Sequence, residues 1–236
     1  RDSTAMVMDH GCLVRMKKTI SEISAQKRNR RRVNISLDGS YAFSLDRLTA
    51  AWLHVGRELS EAEIEKLQLS DEVEIGFNQA LNLLSYRNRS VLEMTRYLEG
   101  KGYAPATLQA VLTRLEEEGL LNDDRFAKEW IENRNTFRPR SHSQLEAELR
   151  FKGLSKSAID SALTESGQDD ATLAMAAARK QVRRYHSPDY ETYRKKLGNA
   201  LLRRGFSYAT VNETLRTLWD EMQESETVEP NKLWSN

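Results

Sequence analysis

The chain has one cysteine, Cys12, and four prolines in 236 residues. A single thiol cannot form an internal disulfide, which suits a reducing compartment and leads us to expect a cytoplasmic protein. With so few prolines, 39% hydrophobic and 30% charged residues, the chain is too apolar and regular to be disordered. No apolar run approaches about 18 residues, so no membrane-spanning helix is expected. There is no G-x-x-x-x-G-K-[ST] loop and no G-x-G-x-x-G turn, hence no visible cradle for a nucleotide. The four histidines, His10, His54, His142 and His186, are scattered, and none stands in ligand spacing with Cys12 or with carboxylates. Neither metal nor cofactor is expected. Glu116-Glu117-Glu118 puts like charges on adjacent helical positions, which is ordinary helix surface rather than an acid/base pair. Catalysis is therefore not the expectation. The chain does not begin with methionine; Met16-Lys17-Lys18 reads as a natural start, which would make residues 1–15 a tail or extension.

What is present is a repeat. A leucine, two residues, a basic residue, a glycine and an apolar residue recur as Leu98-x-x-Lys101-Gly102-Tyr103, Leu149-x-x-Lys152-Gly153-Leu154 and Leu201-x-x-Arg204-Gly205-Phe206. The three glycines are 51 and 52 residues apart. A period of that size marks stacked copies of one small helical unit. Before each glycine, Met94/Leu98, Leu145/Leu149 and Leu197/Leu201 form an i, i+4 apolar face; after it, Leu108/Leu112, Ile159/Leu163 and Val211/Leu215 form another. Ser90-x-x-Glu93 and Ser141-x-x-Gln144 read as capping boxes that open the first helix of each pair. Tyr193 holds the corresponding place in the third copy, so a lost cap is predicted there. The glycines read as left-handed C′ residues, with Lys or Arg in the last turn favouring the helix dipole. Ala104, Ser155 and Ser207 are placed to precede the next helix, with Pro105 at its first position. A further helix precedes each pair, at about Phe77–Arg87, Asp124–Asn135 and Asp170–His186. One such unit buries too little surface to be comfortable alone, and three in series can share a continuous seam.

The amino-terminal region is different. Val33–Leu37 alternates apolar and polar residues, Asp38-Gly39 signals a type I′ turn, and Tyr41–Phe43 resumes the alternation, which predicts a hairpin. Thr19–Ile23 is expected to add a third strand. Ser60-x-x-Glu63 opens a short helix ending near Leu69, with a domain boundary at residues 70–78. The predicted organisation is a tail (1–15), a small α/β domain (16–75), three helical repeats (76–121, 122–167 and 168–223) and an acidic tail (224–236). The fold class is mainly α: three tandem three-helix, helix-turn-helix-like repeats in an elongated curved array behind a small β-hairpin domain.

Net charge is only +1, but it is segregated. Residues 1–32 carry nine basic and three acidic residues, and residues 33–78 carry three and nine. The first two repeats are balanced, whereas residues 168–219 hold ten basic against five acidic residues. Runs such as Lys27–Arg32, Arg179–Arg184 and Arg194–Lys196 are candidate contacts to phosphate or to an acidic surface; the plainer reading is solvated helix face. Arg87 and Arg89, then Arg138 and Arg140, recur just before a capped helix, where cations oppose the dipole. Their recurrence suggests bidentate recognition of carboxylate or phosphate. The alternative is an internal ion pair, for instance to Asp123, Asp124 or Glu148. Lys101, Lys152 and Arg204 read first as helix C-caps, and Phe126 and Trp130 as core.

Leu84-Ser85-Tyr86-Arg87-Asn88-Arg89-Ser90 with Leu98-Glu99-Gly100-Lys101-Gly102-Tyr103 resembles the start of the RecX family of bacterial regulatory proteins. Leu121–Ala127 and Arg138-Pro139-Arg140-Ser141 through Gly153 are similar to that family's middle segment. The resemblance covers about residues 79–219. The hairpin region is similar to an extension carried by many members from Gram-positive and related bacteria. The third copy departs from the pattern, because Arg-x-Arg-Ser has no counterpart there and Ser187-Pro188-Asp189 stands nearby. The resemblance implies a partner, the RecA recombinase filament on single-stranded DNA. It also implies a role: limiting filament growth and damping the ATPase, strand exchange and SOS co-protease activity. The contact candidates are Arg87, Arg89, Arg138, Arg140, Lys152, Arg183, Arg184, Arg194, Lys195 and Arg203. Single- or double-stranded DNA is a possible second partner through the basic clusters, and a monomer is expected. Two other readings stand beside this one: a sequence-tolerant DNA-binding helical module without a recombinase partner, and a scaffold whose repeats hold other proteins.

Overall fold

The computed structural model describes residues 17–27, 29–185, 187 and 189–228. Cys12, His10, His186, the proposed start at Met16 and most of the acidic tail lie outside the described residues. The chain divides into two compact units. One takes the chain through Leu83 together with Leu98–Arg114; the other takes Leu84–Tyr97 and the chain from Leu115 onward.

In the first unit, strands β1 (Lys18–Ala25), β2 (Arg32–Leu37), β3 (Ser40–Asp46) and β4 (Glu58–Leu59) form an antiparallel sheet of order β3-β2-β1-β4. The β2–β3 turn has positive φ at both Asp38 (51°) and Gly39 (86°), as a type I′ turn requires. Alternation along β2 buries Val33, Ile35 and Leu37 on one face, where they join Ile20, Phe43, Leu45, Leu59 and Leu67 in one core.

Helix α1 runs unbroken over Glu61–Leu84, so the short helix predicted to end near Leu69 is instead fused with the one predicted from Phe77. Its start is a complete capping box: Glu63 N–H donates to Ser60 Oγ, and Ser60 N–H donates to Glu63 Oε2. No proline lies in 70–78, and Asp71 in mid-helix ties α1 to the sheet. It accepts two bonds from the Arg32 guanidinium, at 2.6 and 3.3 Å, and one from Asp46 N–H at 2.6 Å. Arg32, read in sequence as one of a basic run, is thus committed to a buried carboxylate.

Helices α2 (Val91–Gly100) and α3 (Pro105–Glu117) complete the first repeat. Within the first unit, Arg114 reaches Glu74 at 2.6 Å and lies over the Phe77 ring, and Thr107 Oγ1 donates to Glu72. The second repeat comprises α4 (Asp123–Phe137), α5 (His142–Phe151) and α6 (Lys156–Ser166), around Phe126, Ile131, Leu145, Leu149 and Ile159. The third comprises α7 (Asp170–Arg179), a single turn α8 (Val182–Tyr185), α9 (Tyr190–Leu202) and α10 (Tyr208–Val228). The single helix predicted over Asp170–His186 is therefore interrupted at Lys180-Gln181. The six i, i+4 residues preceding the glycines, from Met94 to Leu201, are all fully buried.

In the third repeat the predicted loss of the cap is corrected. The cap has moved one turn upstream: Asp189 accepts from Thr192 N–H at 2.9 Å, and α9 is longer than α2 or α5. Tyr193, at the old cap position, is fully buried against Trp219 and Tyr190. Burial pushes its phenol pKa up, and an apolar ring is gained where a capping hydroxyl was given up.

Candidate partner interface at the joints between repeats

Two of the three basic-residue–glycine signatures, Lys152-Gly153 and Arg204-Gly205, lie at joints between repeats. At the first joint, Ser90 caps α2 by accepting from Glu93 N–H, and its hydroxyl donates to the Lys152 carbonyl at 2.7 Å. The next amide, Val91 N–H, donates to Asp123 Oδ1 at 2.9 Å. At the second joint, Ser141 caps α5 through Gln144 N–H, and its own N–H donates to the Arg204 carbonyl at 3.1 Å. His142 N–H donates to Asp170 Oδ1 at 2.8 Å. Each capped helix start thus docks on the glycine turn and the first-helix acid of the following repeat. Orphan amides at a helix N-terminus are satisfied across the joint rather than by solvent. Both boxes show only the serine half: the Glu93 carboxylate is held by Arg87 and Lys152, and the Arg204 carbonyl takes the Ser141 amide that Gln144 would otherwise serve.

Sterics explain the glycines further. Gly102, Gly153 and Gly205 all have φ between 84° and 87°, a region that costs other residues strain. A Cβ at Gly153 would lie 2.6 Å from Leu92 Cβ, and one at Gly205 would lie 2.5 Å from Ser141 Oγ. At Gly102 it would meet nothing within 4 Å. Two of the three glycines therefore allow close docking as well as chain reversal.

The electrostatics of the joints differ. At the first, Glu93 is clasped by Arg87 in bidentate fashion, at 2.8 and 3.0 Å, and by Lys152 Nζ at 2.7 Å. Burial works to raise the Glu93 pKa, but the hydrogen bonds and charges of Arg87 and Lys152 outweigh it and bring it to about 2. Burial raises the Asp123 pKa, with Glu116, Asp124 and Glu93 adding to the rise against the bond from Val91. The Lys152 ammonium also lies 4.4 Å from the Trp130 ring centroid.

At the second joint, Glu148 is the carboxylate that gathers cations. Arg134 pairs with it at 2.9 Å, Trp130 Nε1 donates to it at 2.9 Å, and Arg140 pairs with it closely. Arg138, the residue after α4, is exposed and makes no ion pair among the described residues. Arg204 donates to the Pro139 carbonyl at 3.1 Å. Burial, then the nearby Arg140 and Arg138, lower its pKa.

The predicted contact residues therefore fall into three groups. Arg87, Arg140 and Lys152 are engaged in internal ion pairs, and the Arg89 Nε is buried without a hydrogen-bond partner. Arg138 is exposed at the second joint. Arg183, Arg184, Arg194, Lys195 and Arg203 are exposed on α8, on α9 and just after it, with Arg194 3.8 Å from Glu191. Sequence reasoning missed Glu93, Gln144 and Arg204 as members of the joints, although aligning the repeats at 51 residues sets Gln144 opposite Glu93. It also missed the exposed rings Tyr86 and Phe137, which precede Arg87 and Arg138 and are 78% and 68% exposed.

The chain is 36% identical over 209 residues to "Regulatory protein RecX" of Bacillus pumilus, covering 87% of this chain and 79% of that one. It is 34% identical over 217 residues to the protein of that name in Bacillus subtilis, covering 91% and 82%. The chain belongs to the RecX family. The family's N-terminal domain matches residues 18–60, and its first, second and third three-helix domains match 77–115, 122–163 and 168–215. A crystal structure of regulatory protein RecX superposes with a TM-score of 0.64 at 29% identity, covering 85% of this chain and 99% of that one. RecX from Lactobacillus salivarius shares the fold, with a TM-score of 0.54 over 63% of this chain and 97% of that one. Among the described residues, no helix is long and apolar enough to cross a membrane.

Proposed function

We propose that this RecX-family chain binds the RecA filament on single-stranded DNA and limits its extension, damping ATP hydrolysis, strand exchange and SOS co-protease activity. Membership of a family of regulatory proteins supports a modulator rather than an enzyme. The observation that carries the reading is the joint itself. Serine caps and glycine turns fix successive repeats in series, an arrangement suited to gripping a repeating macromolecular partner. Exposed Arg183, Arg184, Arg194, Lys195 and Arg203 on the basic third repeat supply cations for acidic protein surface or phosphate.

The test compares binding to bare and to RecA-coated single-stranded DNA at one salt concentration, with ATP hydrolysis followed in parallel. Far tighter binding to coated DNA, with hydrolysis suppressed at substoichiometric protein, is expected. Equal affinity for both would favour a DNA-binding module without a recombinase partner, whose affinity would fall steeply with salt. Binding to the filament without suppression at saturation would favour a scaffold.

A further inference from the structure

The two joints both dock a serine-capped helix start on a glycine turn but differ at one carboxylate. In the first, Arg87 and Lys152 converge on Glu93. In the second, Arg138 takes the place of Arg87, Arg204 that of Lys152, and Gln144 that of Glu93. Gln144 lies against the Arg204-Gly205 turn: a Cβ on Gly205 would be 2.9 Å from Gln144 Cβ and 3.5 Å from its Oε1. A neutral carboxamide therefore stands where two cations would be neutralised. Arg138 makes no ion pair among the described residues, and Arg204 turns to a main-chain carbonyl. The other carboxylates at this joint are occupied. Glu148 serves Arg134, Arg140 and Trp130, and Asp170 accepts His142 N–H.

We infer that the second joint is an anion site in which a backbone phosphate of single-stranded nucleic acid, seated beside Gln144, supplies the negative charge that the Glu93 carboxylate supplies at the first. Arg138 and Arg204 are its donors. Guanidinium forks suit phosphate oxygens bidentately. The site is preorganised. Pro139 keeps the preceding Arg138 out of the helical region (φ −143°, ψ 69°), and its carbonyl anchors Arg204. The corresponding residue at the first joint is Asn88, whose side chain is drawn to Glu129.

The adjacent Phe137 ring selects nucleic acid over an acidic peptide. It is 68% exposed at the end of α4, next in sequence to Arg138. Phosphate charge next to an unstacked base is the chemistry such a pair fits, and it is tolerant of sequence.

This inference rests on the reading that the protein works on recombinase–DNA filaments, and it specifies which element meets DNA. The test uses the full chain and a fluorescent oligo-dT of about 20 nucleotides, read by anisotropy across a salt series, with suppression of RecA ATP hydrolysis measured beside it. Arg138→Ala is expected to weaken oligo-dT binding about tenfold and to lower the salt slope by about one. Gln144→Glu installs the internal carboxylate, so it is expected to weaken binding similarly while raising the melting temperature. Phe137→Ala is expected to weaken binding to oligo-dT about tenfold, but not to an abasic backbone of equal length. Unchanged oligo-dT affinity in both Arg138→Ala and Gln144→Glu overturns the site, as does a wild-type protein that does not bind oligo-dT. Loss confined to RecA-coated DNA also overturns it, because the joint would then meet protein. In each of these cases, retained suppression of ATP hydrolysis leaves the proposed function standing.

Discussion

The joint between the first and second repeats and the joint between the second and third are built from the same parts, yet one is electrically closed and the other open. Both dock a serine-capped helix start on a glycine turn, and both hand an amide to an aspartate of the next repeat. The first then gathers Arg87 and Lys152 around Glu93, whereas the second has Gln144 in that place and leaves Arg138 exposed. Hydrogen bonds and close packing set how repeats are joined. A single side chain, varied on that frame, decides whether the joint's cations are spent internally or turned outward.

The largest expected effect comes from the shared frame. Gly153→Val and Gly205→Val should each cost about 3 kcal/mol or more, because positive φ adds to a clash with the Leu92 side chain at one and with the Ser141 and Gln144 side chains at the other. Gly102→Val suffers only the strain of its φ and should cost about 1–2 kcal/mol. Thermal or chemical denaturation checks the order, and equal losses at all three glycines would remove the docking argument.

Next is Glu93→Gln, which makes the first joint resemble the second. It strands Arg87 and Lys152 and should cost about 2 kcal/mol near neutral pH, less at high salt. The same pair predicts the pH dependence. The folded-state pKa of Glu93, about 2, lies below its ordinary 4.5. Its contribution is therefore complete above about pH 4.5 and is lost as pH falls through 2. In Glu93→Gln, the part of the acid destabilisation due to this residue should vanish from a pH titration of stability.

Asp189→Ala tests the displaced cap of the third repeat and should cost about 1 kcal/mol, while Asp189→Asn should be nearly neutral. Smallest is Arg138→Ala, an exposed cation without an ion pair, which should shift stability by less than about 0.5 kcal/mol. Arg140→Ala should cost more, because it takes one guanidinium from the half-buried Glu148. Comparing the two melting temperatures separates the outward arginine from the internal one, which their common spacing in sequence does not.

The features legible in the sequence are those that local chemistry fixes. The hairpin follows from Asp38-Gly39, the helix ends from Gly102, Gly153 and Gly205, and the helix starts from Ser60, Ser90 and Ser141. The apolar faces follow from i, i+4 spacing. Errors arose where a distant contact overrode a local signal. Asp71 anchors mid-helix to Arg32, and α1 runs on through 70–78, where the short helix is expected to have ended. Tyr193 sits where a cap would, but the core of the third repeat takes its ring and Asp189 caps one turn earlier. For the arginines, the repeat shows only that cations recur. Which of them have carboxylate partners depends on Glu93, Glu148 and Gln144, six to eight residues downstream on a neighbouring helix face.

By itself the sequence determined the three-fold helical repeat, the amino-terminal hairpin and the family, because caps, turns and apolar periodicity act over a few residues and leave a regular trace. The tertiary structure decided what the repeated glycines and arginines do. Whether an arginine closes an ion pair depends on a residue six to eight positions away on a neighbouring helix face, and whether a glycine or Lys152 packs across a joint depends on residues about 60 positions away that only folding brings beside it.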